Sequence, residues 1–212
     1  MRIYAIPGLG TTKELYVNTQ LRGHELIVLQ WPSPNKNDTM QSYAQKFISQ
    51  INTNEPFGLL GVSFGGMLCI ELSKIITPHK LILISTCKTR AELPWFIRLM
   101  KYIPLHLIIS ERYHRRLAYH GRWFIGFGSA YIPEFLGMIE QMEKGYFKQC
   151  IDIIANWNNL TFPKIHYHIH GTNDKLLSHK NVSATILIDG GSHAMVVFRA
   201  NEINSLIEAE LN

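Results

Sequence analysis

Apolar positions along the chain fall in short blocks that alternate between two spacings. Residues 2–6 form a short β-rich run that stops at Pro7-Gly8. Residues 25–31 (ELIVLQW) form a second, stopped by Pro32 and Pro34. The spacing then turns helical over 39–52, where Tyr43, Phe47, Ile48 and Ile51 share one face and Asp38 or Thr39 stands at the cap position. Residues 56–62 are nearly all apolar, as a strand covered on both faces requires. A helix over 65–76 and a strand over 80–85 (KLILIS) follow. Strands alternating with helices predict right-handed βαβ units in an open parallel sheet.

The rhythm breaks between residues 90 and 157. Several pieces there have helical spacing, many aromatics and many basic residues. Trp95, Phe96, Leu99, Met100 and Ile103 share one helical face, with Arg98 and Lys101 elsewhere on it; Phe135, Met138, Ile139 and Met142 repeat the pattern. Alternation resumes with strands over 164–170 and 185–188 and ends in a helix over 199–211. The predicted organisation is a core of 1–89 and 158–212 with a helical insertion at 90–157, and no internal repeat.

Composition narrows the class. With 212 residues, 46% hydrophobic and 17% charged, the chain is neither disordered nor collagen-like nor a disulfide scaffold. Three scattered cysteines (Cys69, Cys87, Cys150) suit no zinc ribbon or redox pair. The odd count, with no secretion signal at the N-terminus, leads us to expect a cytoplasmic protein. No apolar stretch is long enough for a membrane-spanning helix. The net charge of +5 steers acidic partners without identifying one.

Candidate chemistry starts at Gly61-Val62-Ser63-Phe64-Gly65-Gly66, directly after a buried strand and directly before a helix. That is the context of a G-x-S-x-G turn, which strains its serine and lifts the hydroxyl clear of the sheet. Gly61 and Gly65 remove side chains that would clash with the neighbouring strand and helix. A serine hydroxyl needs a base, and His193 in Gly190-Gly191-Ser192-His193 sits on a loop after the last strand. The imidazole needs an acid to fix its tautomer. Asp174, just beyond the 164–170 strand in HGTND, is the candidate; Asp189 competes but more naturally shapes the Gly-Gly turn. The order Ser63, Asp174, His193 matches one serine-hydrolase architecture and neither protease order. Two backbone N–H groups would hold a developing oxyanion: Phe64, after the serine, and Leu9, in the Pro7-Gly8-Leu9-Gly10 loop.

On GVSFGG, PGLG, HGTND and GGSHAM, about two-thirds of the chain resembles the α/β-hydrolase superfamily. The resemblance implies an α/β fold with a mostly parallel sheet and helices on both faces. Members usually carry two more strands before the oxyanion loop, so a trimmed sheet is implied. They often have His-Gly where this chain has Pro7-Gly8. The 90–157 insertion would be a cap over the active site, with an apolar acyl pocket to which Trp95, Phe96 and Met195 are assigned. Most of the insertion's other aromatics are expected to pack the cap onto the core.

Other signals weigh less. His166, His168 and His170 alternate on one strand, a spacing that binds zinc elsewhere. A buried sheet strand without acidic or thiol ligands nearby is a poor host, so no metal or cofactor is expected. Arg112, His114, Arg115 and Arg116, with Arg122 beyond, read as a solvated helix face that could instead dock an acidic acyl-carrier protein or an anionic lipid surface. No nucleic-acid signature accompanies them. Cys69 reads as core. The expected function is a serine hydrolase cleaving small carboxylic esters through an acyl-enzyme. A thioesterase or carrier-bound acyl methyl esterase is the enzymatic alternative, and a non-catalytic binding protein the alternative of another class.

Overall fold

A computed structural model describes residues 1–128, 131–164 and 166–212. Residues 129 and 130 of the predicted insertion and residue 165 of the predicted fifth strand lie outside the described residues. Among the described residues six strands, β1 (Arg2–Ile6), β2 (Glu25–Val28), β3 (Phe57–Val62), β4 (Lys80–Ile84), β5 (Tyr167–Gly171) and β6 (Ile186–Ile188), form one sheet in the order β2-β1-β3-β4-β5-β6. Every pairing is parallel; Ile3, for example, lies between Leu26 and Gly58. β3 is buried along its whole length, as its unbroken apolar run requires.

The strand order reverses at β1. The chain steps one way to β2, then returns past β1 to β3 and continues outward. Right-handed crossovers therefore place the helices of the two directions on opposite faces. α1 (Met40–Gln45) and α2 (Phe64–Leu72) pack together, α2 against β1 and β3. α7 (Met195–Phe198) packs on the short turn Lys13–Tyr16 of the β1–β2 crossover and on α8 (Ala200–Leu211). The loops after β1 and β3 meet at the point of reversal, where open α/β sheets leave a crevice.

Two elements are shorter than expected, for one shared reason. The 39–52 helix begins at the Thr39 cap, where Thr39 and Ser42 exchange hydrogen bonds, but ends at Gln45 and tightens into the turn Ile48–Gln50. That turn aims Gln50 at β2. Its amide accepts from the Gln30 N–H at 2.8 Å and donates to the Gln30 carbonyl at 2.9 Å. Gln30 thus pairs with a side chain instead of a strand, and β2 stops at Val28. Phe47 and Ile51 still reach the core.

Between β4 and β5 the chain runs through α3 (Trp95–Leu99), α4 (Glu111–Ile125), α5 (Ile132–Glu140) and α6 (Tyr146–Asn156). Phe135, Met138, Ile139 and Met142 are buried as expected. The first helical face is not: Trp95, Phe96, Leu99 and Ile103 are exposed. Nor is the basic run a solvated face throughout. His114 and Arg122 are buried, and Arg115 turns inward to donate to the carbonyls of Ile139 and Met142, both at 2.5 Å. Those carbonyls lie in the last turn of α5 and just beyond it, and one guanidinium meets both.

A very close backbone approach lies at the start of α2. A Cβ on Gly65 would stand 2.1 Å from the Ile6 carbonyl oxygen and 2.4 Å from that of Pro7. Gly65→Ala is expected to lower stability by about 3 kcal/mol or more, because backbone on both sides must give way. Gly137, in α5 with open space around it, is the control: Gly137→Ala should raise stability by up to about 0.8 kcal/mol through helix propensity. Denaturant midpoints of the two variants check the contrast.

Candidate active site

Ser63 sits between β3 and α2 with φ 55° and ψ −120°, a backbone conformation that side chains rarely adopt. Several contacts hold it there. Its N–H donates to the Ile84 carbonyl at 3.0 Å, and its own carbonyl accepts the Thr86 hydroxyl at 2.6 Å. Gly61 lies so close to Gly65 and Gly66 that a Cβ would stand 2.5 Å from the Gly66 Cα. The strain is over-determined by the packing around it.

Phe64 anchors the turn from the other side. Its ring is stacked with Trp31 (5.6 Å between centroids, 10° between planes) and with Tyr43 (6.1 Å, 9°). The Trp31 indole N–H donates to the Thr11 carbonyl at 2.7 Å, tying this stack to the loop after β1. That loop lies against the serine: a Cβ on Gly8 would stand 3.6 Å from the Ser63 Cβ. The N–H groups of Leu9 and Phe64 donate to no protein acceptor among the described residues.

His193 comes from the loop after β6, and Asp174 from the loop after β5. The His193 Nδ1 is 2.7 Å from Asp174 Oδ2, and its Nε2 is 2.9 Å from the Ser63 Oγ. A carboxylate only accepts, so Nδ1 carries the proton and Nε2 offers its lone pair to the serine hydroxyl. Asp174 is buried, and its other oxygen accepts the N–H groups of Leu176 (2.9 Å) and Leu177 (2.8 Å). Burial pushes the Asp174 carboxyl up; the His193 partner, the Leu177 N–H and His170 more than offset this, and it stays below the usual carboxylate range. The arrangement can remove a proton from the serine hydroxyl and hold the resulting imidazolium.

Two supports went unread in the sequence. His170, fully buried, donates from Nε2 to the Leu177 carbonyl at 2.7 Å, so it fixes the loop that carries Asp174. The His193 loop is held by the segment between β4 and β5: the Ala194 N–H donates to the Ile125 carbonyl at 2.8 Å, at the end of α4. Tyr146 and Phe147 of α6 pack against Gly10, whose φ of 72° and lack of a Cβ leave room for the Phe147 ring. No local motif announces the contacts of Ala194 and Gly10, because their partners lie far apart in the chain. Asp189 is exposed and accepts the Thr172 hydroxyl at 3.0 Å, shaping the turn before Gly190.

Ser63 and His193 open into a cavity of about 480 Å³. Its walls are mostly apolar and come from the β1 loop (Leu9) and from the insertion (Phe96, Leu117, Phe124, Phe135, Phe147). Of the three pocket residues expected from the sequence, only Phe96 lines it. Trp95 points into solvent, 69% exposed, and Met195 is buried behind the His193 loop, with its sulfur against Gly191. No cluster of three metal-ligating side chains occurs among the described residues. His168 and His170 are both fully buried, with rings 5.5 Å apart.

No family model and no curated sequence matches the chain. Solved structures do. An esterase from Exiguobacterium antarcticum superposes with a TM-score of 0.76 at 12% identity, over 100% of this chain and 92% of that one. A bromoperoxidase from Bacillus anthracis gives 0.72 at 16% identity, over 99% and 91%. A thermophilic esterase from Thermogutta terrifontis gives 0.62 at 15% identity, over 100% and 89%. The chain has the α/β-hydrolase fold.

Burial also predicts a pH response. It pushes His168 well below its usual range, helped by the charges of His170 and Lys88, and it lowers His170 as well. A depressed folded value means that the unfolded chain binds the proton first. The stability from neutral burial is therefore complete above about pH 6.5 and lost as pH falls below it, at up to about 1.4 kcal/mol per pH unit for each histidine. Asp174, also depressed, adds a loss only below the normal carboxylate range. Urea midpoints from pH 8 down to 5 should be flat and then fall. In His168→Leu the fall should be shallower; an unchanged slope would contradict the assignment.

Proposed function

We propose that this protein is a serine hydrolase that cleaves carboxylic esters of apolar acyl groups. The observation that carries the reading is one continuous hydrogen-bonded line, Ser63 to His193 to Asp174, at the floor of an apolar cavity. His193 takes the Ser63 proton as the hydroxyl oxygen attacks the ester carbonyl carbon. The Leu9 and Phe64 N–H groups, free of protein acceptors among the described residues, take up the oxyanion. Collapse breaks the bond to the leaving alcohol, which takes the proton from His193. Water, deprotonated by the same histidine, then attacks the acyl-enzyme and releases the acid.

Asp174 acts throughout as an ionised carboxylate, which its depressed titration supports. In this reading residues 90–157 are a cap over a core of 1–89 and 158–212, because the insertion supplies most of the cavity wall. Phe96, Leu117 and Phe124 then contact the acyl group. The chemistry calls for no cofactor. Three buried thiols suit the reducing cytoplasm proposed as its location.

The test is turnover of p-nitrophenyl esters and acyl thioesters of graded chain length. Ser63→Ala is expected to lower kcat/KM by about ten-thousandfold or more and to abolish labelling by a fluorophosphonate. Asp174→Asn should cost about ten-thousandfold in kcat with the fold intact. Wild-type protein that takes up no fluorophosphonate and turns over no ester or thioester would instead be a binding protein on a hydrolase fold.

A further inference from the structure

The helix α4 is amphipathic in the opposite sense to a helix of a water-facing surface. At 100° per residue, Tyr113, Leu117, His120 and Phe124 fall within a band of about 60°. All four are exposed, Phe124 at 62%. Arg112, Arg116 and Trp123 flank the band and are exposed as well. The opposite half carries His114, Arg115 and Arg122, which are turned inward. Arg122 donates to the Tyr119 carbonyl at 2.8 Å, and Arg115 to the end of α5. Three polar groups are thus held inside beside Ala118 and Ile125, while Tyr113, Leu117 and Phe124 are presented outside.

The preceding segment exposes apolar residues too: Trp95, Tyr102, Leu105 and Ile108 stand in solvent, Ile108 at 80%, and Phe96 shares a cavity rim with Leu117 and Phe124. So large an apolar surface on one segment marks a site of contact. Charge selects the contact. Residues 95–125 contain six of the chain's 21 Lys and Arg and one of its 16 Asp and Glu, so this stretch carries the entire net charge of +5. The single acid, Glu111, is already paired with Arg115 at 3.1 Å. Four of the cations, Arg98, Lys101, Arg112 and Arg116, are exposed among the apolar residues. A second copy would bring like charges together. An anionic surface with an apolar interior satisfies both features, and tryptophan and tyrosine favour the boundary between the two.

We propose that the outer face of residues 95–124 docks on an anionic lipid bilayer, with Trp95, Ile108, Trp123 and Phe124 entering the interface and Arg98, Lys101, Arg112 and Arg116 meeting the headgroups. Phe96, Leu117 and Phe124 belong both to this face and to the cavity wall, so the cavity opens toward the membrane. Given the hydrolase function proposed above, an ester dissolved in the bilayer enters without crossing water. No helix among the described residues is long and apolar enough to cross the membrane, so the contact is peripheral.

The test is flotation of the full chain with vesicles of phosphatidylcholine alone and of phosphatidylcholine with one-third phosphatidylserine. Uptake is expected on the anionic vesicles, weakening as salt rises. Arg98→Gln and Lys101→Gln should each weaken it by about fivefold. Lipids brominated in the acyl chain should quench tryptophan emission. The paired changes Trp95→Phe and Trp123→Phe should remove that quenching, because Trp157 is buried and Trp31 lies in the stack beside Phe64. Ser63→Ala protein should float like wild type, so a failed hydrolase reading and a failed docking reading are distinguishable. No uptake on anionic vesicles at low salt, or uptake indifferent to both charge changes, overturns the proposal. So does absence of vesicle uptake with binding of an acidic acyl-carrier protein, or with self-association.

Discussion

The distance between two pieces of backbone governs this molecule. The first turn of α2 lies against the end of β1 so closely that no side chain fits at Gly65 between the helix and the Ile6 and Pro7 carbonyls. This approach sits where the strand order reverses, so the loops after β1 and β3 have no crossover between them to fill the crevice. It brings the Leu9 and Phe64 N–H groups to the serine and sets Ser63 at a positive φ. A looser packing would let the turn relax, and the hydroxyl would lose its line to His193.

The remaining parts arrive from the C-terminal half and are held by different means. Asp174 is positioned by two backbone N–H groups and by the carbonyl that His170 grips. His193 is positioned by Asp174 and by the end of α4. The sheet and its first loops therefore supply the serine and the proposed oxyanion donors, while the histidine depends on both the sheet and the helices between β4 and β5. A perturbation of α4 reaches the imidazole through the hydrogen bond from Ala194 to Ile125 and the approach of Gly126 to Ser192, without touching the sheet.

The sheet was legible because parallel strands buried on both faces leave continuous apolar runs, and the Gly-rich turns that follow them are short and local. β1 to β4 are read from such runs and β5 and β6 from the resumption of alternation after residue 157, with differences only at the ends. The β2 end shows why: Gln30 has good strand surroundings but spends its backbone on Gln50, twenty residues away. The meeting of Ser63, His193 and Asp174 was legible for the same reason as the sheet, since all three follow strands at one edge. The pocket was not. Helical periodicity says which residues share a face but not whether the face looks inward, and for Trp95 it looks outward. Met195 follows the histidine in sequence yet turns behind its loop.

The orientation of α4 has a physical cause that periodicity alone misses. A short insertion lacks the volume to bury every apolar residue it carries. This one caps the carbonyls at the end of α5 with Arg115 and buries Arg122 along its own helix, so guanidinium groups occupy the inner face that leucines would otherwise fill. Arg115 is tolerated because its donors meet the Ile139 and Met142 carbonyls and Glu111, while Arg122 meets the Tyr119 carbonyl and lies over the Tyr119 ring; the stem of each still supplies apolar contact. The aromatics are displaced to the outside as a consequence. Stability of the insertion and exposure of its apolar face thus have one origin, and replacing the outer residues with polar ones leaves the inner bonds untouched.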